Sequence, residues 1–273
     1  MDARLQRRVQ RYGWDKASGW YEQYWREQLR PAQERALAMA DLQPGAHVID
    51  TACGTGLMTF EAARLVGSGG RVHGTDLSQD MIDRASEQAR ARGVANVEFE
   101  RMDAEDLKMP AESFDVWICG LGLMYVPDPA RALAEARRVV RPGGRAVAAV
   151  WGARNRCGWA EIFPIVDCRV ASEVCPMFFQ LGTGDLLRHT FEAAAFTDVH
   201  VDRIASILRY ESAEEACGAA FVGGPVALAY SRFDDQVREA AHAEYLASIE
   251  PYRRSGGNGY DVPGEFVVAC GRR

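Results

Sequence analysis

A chain of 273 residues, 48% of them apolar, has material for one large domain with a sizeable core, or for nearly two domains. Its 32 basic and 38 acidic residues leave a net charge of −6, which argues against broad nucleic-acid affinity, because that requires basic surface to displace counterions. Seven cysteines, an odd number with no C-x-x-C pair, read as reduced thiols of a cytoplasmic protein. No four ligands stand close enough for a zinc site, no apolar leader opens the chain, and no apolar run approaches the length of a membrane span.

Residues 1–42 read as a helical arm. Trp20–Tyr24 and Tyr21–Trp25 stand at i,i+4 spacing on a helix face. Pro31 suits the first turn of a second helix, which the turn Asp41-Leu42-Gln43-Pro44-Gly45 ends. The basic start, Arg4 to Arg11, reads as a solvated helix face. The aromatic residues either pack the arm onto a sheet or close over a bound cation, with Tyr12 and Tyr21 as candidates.

The apolar run Ala46 to Ile49 reads as a buried strand. It ends in Asp50 and the turn Thr51-Ala52-Cys53-Gly54-Thr55-Gly56, and a helix follows from Leu57. Glycine belongs where the backbone turns sharply or approaches a ligand with no side chain in the way. A strand–turn–helix unit of this kind presents free N–H groups and the positive end of a helix, as a nucleotide site requires. The dinucleotide fingerprint would place a third glycine where Thr59 stands. A second strand then ends in Asp76, at the distance from the glycine turn where an acid reaches ribose hydroxyls, with Leu77 after it. Ser78 reads as the N-cap of a helix over Gln79–Arg92, whose Met81 is placed to touch a base. A third strand, 97–101, leads to Asp103 and Ala104, and a fourth runs into the loop at Gly120. A loop after a central strand is where open α/β sheets bind ligands. A helix over 130–140, the turn Arg141-Pro142-Gly143-Gly144 and a fifth strand, 145–151, complete this block.

Beyond it, a helix is expected over 158–174, another through Ala195, a sixth strand over Thr197–Tyr210, three helices over 213–221, 225–230 and 234–249, and a last strand over 265–270.

The Asp50-x-x-Cys53-Gly54-Thr55-Gly56 turn resembles the first motif of class I S-adenosylmethionine (SAM) methyltransferases. The span 114–151, with its Gly120-Leu121-Gly122-Leu123 loop and Arg-Pro-Gly-Gly turn, is similar to the same superfamily's fourth-to-fifth-strand block. The flavour is that of the small-molecule group that includes ubiquinone and menaquinone biosynthesis methyltransferases. Those quinone enzymes carry Arg-Asn-Val where this chain has Met124-Tyr125-Val126, so a quinone acceptor does not carry over. The resemblance implies a Rossmann-like α/β fold: a seven-stranded, mostly parallel sheet with an antiparallel last strand inserted beside the fifth.

It implies SAM as cofactor, held by Asp50, Ala52, Cys53, Gly54, Gly56, Thr59, Asp76, Leu77, Met81, Asp103, Ala104 and Gly120, with Tyr21 covering it from the arm. Within this role Asp50 orients the turn and meets the methionine end, Asp76 the ribose, and Asp103 and Ala104 the adenine edge. It also implies this organisation: arm 1–42, SAM-binding core 43–152, substrate-facing insertion 153–182, core continuation 183–210, helical lid 211–261 and last strand 262–273.

The expected activity is methyl transfer to a small, partly apolar metabolite, on O, N or C. A hydroxyl or carbon acid needs a base, and Tyr125, His189 and His242 are the candidates, with Asp167 and Glu161 behind them. Cys157, Cys168 and Cys175 read as core thiols rather than as an arsenic- or metal-binding set, and no metal is expected. The expected partner is the acceptor alone, without nucleic acid or membrane, and homodimerisation stays open. The rival readings are a SAM-binding fold without turnover, an RNA or protein methyltransferase, and a nicotinamide oxidoreductase.

Overall fold

The apolar run His47–Thr51 forms β1, buried along nearly its whole length because it pairs in parallel with a strand on each side. Those neighbours are β2 (Arg71–Asp76) and β4 (Phe114–Gly120). β3 (Val97–Arg101) adds outside β2, and β5 (Val140–Trp151) outside β4. β6 (Thr197–Tyr210) and β7 (Tyr260–Arg272) complete a seven-stranded sheet of order β3-β2-β1-β4-β5-β7-β6. β7 runs antiparallel to both of its neighbours, as expected for a strand inserted last beside the fifth. The computed structural model describes residues 2–170 and 177–273.

Helices cover both faces, as parallel strands require. Successive residues of β7 mark the two sides. Cys270 points its Sγ at the Met39 carbonyl of α2 (Tyr21–Ala40), 3.5 Å away. At Gly271 a Cβ would stand 2.8 Å from Phe196, which follows α7 (Leu186–Ala193) on the other face. α3 (Leu57–Val66) lies against α2, and α5 (Pro129–Val139) against α7. α4 (Gln79–Arg92) is capped by Ser78, whose Oγ accepts from Met81 N at 3.2 Å.

β5 and β7 begin before the expected 145 and 265, so the expected turn at 141–144 falls within β5. Two expected helix boundaries also fail, for physical reasons. α2 runs through Pro31, where a break and a new helix were expected. Proline there removes one N–H and crowds the preceding turn. Burial of Trp25, Leu29, Ala32, Ala36 and Ala40 on one face holds both halves in line. Of the helix expected over 158–174, the described residues form only α6 (Ile162–Asp167), beside which Trp159, Phe163, Phe178 and Phe179 gather into one ring cluster. The remainder of that expected helix, 171–174, lies outside the described residues.

β6 and β7 continue past the end of β5 through the pairs Ala205↔Glu265 to Tyr210↔Tyr260. This projecting ladder carries α8 (Ala213–Cys217), a π-helical turn at Gly218–Val222, α9 (Ala227–Tyr230) and α10 (Asp235–Ile249). α9 packs on α1 (Ala3–Ala17), and α10 on α6. Tyr24 of α2 fills the space that side chains at Gly218 and Gly223 would need, so the glycines let this segment sit flat on the arm.

Candidate active site

The sheet reverses its winding between β1 and β4, the place where open α/β sheets leave a crevice at the carboxyl ends of their strands. A cleft opens there, walled by the arm and by the strand ends. Nine of the thirteen expected cofactor residues line it: Tyr21, Ala52, Gly54, Asp76, Leu77, Met81, Asp103, Ala104 and Gly120. They come from the arm and from the ends of four strands, so a ligand in the cleft would span all four.

Backbone conformation shapes the floor. Ala52, Gly54 and Gly56 have φ of 56°, 56° and 89°, the left-handed region that glycine enters freely and alanine at a cost. A Cβ on Gly56 would stand 2.9 Å from the Phe60 ring, so only glycine fits that turn. The Asp76 carboxylate ties the turn to β2: Oδ2 accepts from Gly54 N and Oδ1 from Ser78 N, each at 2.9 Å. Burial raises the Asp76 pKa to about 6, against the lowering effect of those two N–H donors.

The four remaining expected residues do not line the cleft. Asp50, Cys53, Gly56 and Thr59 form the layer beneath it. Thr59 Oγ1 donates to Asp50 Oδ2 at 2.6 Å, so threonine at the third-glycine position anchors the strand's acid rather than meeting a ligand. Asp50 Oδ1 and the hydroxyls of Thr51, Thr55 and Thr75 are buried without partners. Burial raises the Asp50 pKa to about 7 despite the Thr59 bond. Cys53 is buried, and its N–H donates to Thr75 O at 2.9 Å.

The basic start of the chain is not a solvated face throughout. Arg7, Gln10 and Trp14 fall at i, i+3 and i+7 on one side of α1, and all three line the cleft. Arg7 bonds the carboxylates of Asp103 and Glu105 at 2.8 and 2.7 Å. Glu105 is almost fully buried, and its Oε1 also accepts from Asp128 N. Asp15 on the same helix accepts from Ser78 Oγ at 2.6 Å. The spacing of Arg7, Gln10 and Trp14 was available in the sequence, but the basic run around them obscured it. Tyr12, expected as a cover, is exposed with Arg11 over its ring; Trp14 covers instead, edge-on to Tyr21 and Tyr125 at 5.8 and 5.1 Å.

Residues 42–157 match the family described as "Methyltransferase domain". Aklanonic acid methyltransferase DauC of Streptomyces sp. (strain C5) is 36% identical over 131 residues, 48% of this chain and 60% of that protein. A demethylmenaquinone methyltransferase of Bacillus cytotoxicus is 32% identical over 131 residues, 48% of this chain and 55% of that protein. The chain thus spans little more than half the length of these curated relatives. A solved structure of a methyltransferase-like protein from Bacillus halodurans superposes with a TM-score of 0.62 at 19% identity, covering 89% of this chain and 98% of that one, and it shares the fold.

Of the expected catalytic residues, only Tyr125 lies at the cleft. It follows β4 in a single turn of 3₁₀ helix, Leu123–Tyr125, with its ring against Trp14 and Phe178. His189 sits exposed on α7, and no residue of that helix lines the cleft. His242 on α10 shares a 2.9 Å hydrogen bond with Tyr230 Oη, and burial lowers its pKa. No residue of either helix lines the cleft, so the structure does not bring either histidine to it. Glu161 pairs with Arg154 at the surface, and Asp167 ends α6 outside the cleft. Cys157 is buried and Cys168 exposed, whereas Cys175 lies outside the described residues. Among the described residues no group of three metal-ligating side chains occurs, and no helix is long and apolar enough to cross a membrane. Residues missed in the sequence but lining the cleft include Met102, Leu121, Gly122, Val126 and Pro127, adjoining motifs already picked out.

Proposed function

We propose that the protein transfers a methyl group from SAM to a small, partly apolar acceptor. One observation carries this reading: a single cleft joins the glycine turn, the ribose-type acid Asp76, the Asp103-Ala104 corner and the Gly120 loop. The residues present fit the cofactor. Asp76 faces the cleft with its two oxygens each holding one N–H, which leaves lone pairs for a vicinal diol. Asp50 Oδ1, buried and unpartnered beneath the turn, suits an ammonium or a bridging water at the amino-acid end. Met81 and Leu77 offer apolar contact to a purine, and Asp103 with the Ala104 N–H offers one acceptor and one donor to its edge.

Bound SAM supplies an electrophilic methyl on a sulfonium, so the protein's task is to orient the acceptor and exclude water. Trp14, Tyr21 and Tyr125 close the cleft on the acceptor side. Burial and the neighbouring Asp76 push the Tyr21 phenol well up, so it stays protonated and serves as a donor, not a base. Tyr125 is the one expected catalytic side chain in position to touch an acceptor. The domain organisation follows: the arm and the helices between β6 and β7 shelter the cleft, and the acceptor enters between them. Placement in the cytoplasm belongs to the same reading.

The deciding measurement is calorimetric titration with SAM, S-adenosylhomocysteine and NAD+, followed by S-adenosylhomocysteine release across a metabolite panel. Binding of the first two alone, with turnover of an uncharged metabolite, is the expected result. Preference for NAD+ would sink the reading, and SAM binding without turnover of any acceptor would reduce the protein to a SAM-binding module.

A further inference from the structure

A recess with a volume of about 380 Å³ open to water lies beside the Asp103 corner of the cleft and shares Arg7, Leu77, Met102 and Asp103 with it. Its remaining walls are Arg8, Arg11 and Tyr12 of α1 and Arg101, the last residue of β3. Four arginines thus line it against one carboxylate, in a chain whose net charge is −6. That carboxylate is already occupied: Asp103 Oδ2 meets Arg7 at 2.8 Å, and Oδ1 accepts from Glu105 N at 2.9 Å. Arg8, Arg11 and Arg101 have no ion-pair partner among the described residues.

Single surface arginines are ordinary, and water satisfies them. Two features set this group apart. Its members come from two elements that meet across a seam, so seating α1 on the core brings like charges together and raises the cost of doing so. And α1 has little apolar hold of its own. Its buried residues are Gln6, Gln10, Gly13 and Ala17, none of them large and apolar, and its fastenings are polar: Arg7 on Asp103 and Glu105, and Asp15 on Ser78. The Arg11 guanidinium stands over the Tyr12 ring, 5.5 Å from its centroid, which limits its freedom. The guanidinium is a planar fork of donors that matches phosphate oxygens two at a time. An anion in the recess would cancel the repulsion and join the arm to β3.

We propose that Arg8, Arg11 and Arg101 form a binding site for a small phosphoryl-bearing anion, which bridges α1 to the end of β3 and fastens the arm over the cofactor cleft. The site stands on the arginines; only its coupling to the cofactor rests on the SAM reading above. The anion is not the methyl acceptor, because none of the acceptor-side rings Trp14, Tyr21 and Tyr125 lines the recess. A carboxylate monoanion would neutralise one cation of the three, whereas a phosphoryl group or a pyrophosphate brings charge and oxygens enough to meet them together. A lipid surface fits less well: the exposed apolar residues Leu5 and Trp20 of the arm do not line the recess, and Arg101 stands on the core rather than on the helix. An anion that binds only when α1 is seated must tighten the cofactor by the same factor as the cofactor tightens the anion.

The test is calorimetry on the full chain at neutral pH and fixed ionic strength, with pyrophosphate, phosphate and acetate as probes. Pyrophosphate should bind tightest and acetate weakest. Arg8→Gln and Arg101→Gln, both at exposed positions where folding is spared, should each weaken pyrophosphate roughly tenfold. Arg232→Gln, at an exposed arginine outside the recess, should leave it unchanged. Saturating pyrophosphate should tighten S-adenosylhomocysteine roughly three- to tenfold, and Arg101→Gln should abolish that gain while keeping the cofactor's own affinity within about twofold. Equal weakening by all three substitutions, or by none, overturns the site. Pyrophosphate binding that leaves S-adenosylhomocysteine affinity unchanged overturns the bridge. Tighter binding to phosphatidylglycerol vesicles or to an oligonucleotide than to pyrophosphate overturns the small-anion class. Failure of S-adenosylhomocysteine to bind, with pyrophosphate still held by the arginines, sinks the cofactor reading and the coupling but bears out the site.

Discussion

The cofactor cleft and the aromatic chamber share a wall, yet they are built in opposite ways. The cleft is made from short contiguous stretches at the ends of adjacent parallel strands, and much of its chemistry is backbone: positive-φ turns, N–H groups held by Asp76, and small residues that leave room. The chamber, an apolar hollow beside the cleft, is made from α1, α2, the loop after β4, Trp151 at the end of β5, Trp159, Phe178 and the 224–225 turn, which meet only in the folded molecule. The first is set mostly by local backbone geometry at the strand ends. The second depends on how an arm, an insertion and a helical segment stack, so its shape can change while the glycine turn stays as it is.

If that division is right, damage to one side should spare the other. The largest effect is expected at Asp76→Ala, which removes a carboxylate tied to Gly54 N and Ser78 N as well as the diol acceptor. Affinity for S-adenosylhomocysteine should fall on the order of 100-fold by calorimetry at pH 8. Affinity within threefold of wild type would remove the ribose role. Trp159→Ala should do the reverse: it costs about 3 kcal/mol of stability in urea unfolding because its ring touches five others, and leaves cofactor affinity nearly intact in the folded fraction.

A smaller loss is expected at the seam between the two. Arg7→Ala strips the buried Glu105 of its cation and should cost about 1–2 kcal/mol, with α1 becoming an early site of limited proteolysis. Glu105→Gln in the same chain should restore part of that loss, since the uncompensated charge is gone. If the double variant is no more stable than Arg7→Ala, the pair is incidental.

The pH dependence sharpens the comparison further. Burial raises Asp50 to about 7 and Asp76 to about 6, from ordinary values of 3.8. An acid whose folded pKa is raised costs stability above that pKa, and the cost fades as pH falls through it, because the folded state then binds the extra proton. Asp50→Asn should therefore be more stable than wild type at pH 8, by at least roughly 1 kcal/mol, and the advantage should shrink as pH falls below about 7 and be gone only near the ordinary carboxyl value of 3.8. Cofactor affinity should move the other way, weakening as pH drops from 8 to 5.5, because hydroxyl and ammonium donors require the ionised acids. An advantage independent of pH would show that Asp50 is not the titrating group. The smallest effects belong to His189→Ala and His242→Ala. Each should leave kcat/KM within about twofold, since neither helix reaches the cleft.

Where the sequence was readable, a local rule was at work. The apolar run before Asp50, the glycine turn, the acid closing β2 and the cap at Ser78 each follow from spacing within a few residues, and the Thr197–Tyr210 strand emerged with its observed bounds. Pro31 misled because helix-breaking is a local cost that a buried face of five side chains overcame. Arg7 misled because its neighbours Arg4, Arg8 and Arg11 suggest a solvated face, and only the docking of α1 over Asp103 and Glu105 makes it an ion-pair partner. Thr59 drew attention as a possible ligand contact, and its bond to Asp50 was invisible without the turn's geometry.

What the chain determined unaided is therefore its α/β framework, with the glycine turn and acids of the cleft, because strand burial, positive φ and acid spacing are properties of neighbouring residues. What only tertiary structure decided is which of its aromatic and titratable side chains share a wall. That depends on long-range packing: Trp25, Trp151 and Trp159 are separated by up to more than a hundred positions and meet within 6.4 Å between ring centroids. The same packing sent both candidate histidines to helices remote from the cleft and left Tyr125 at its edge.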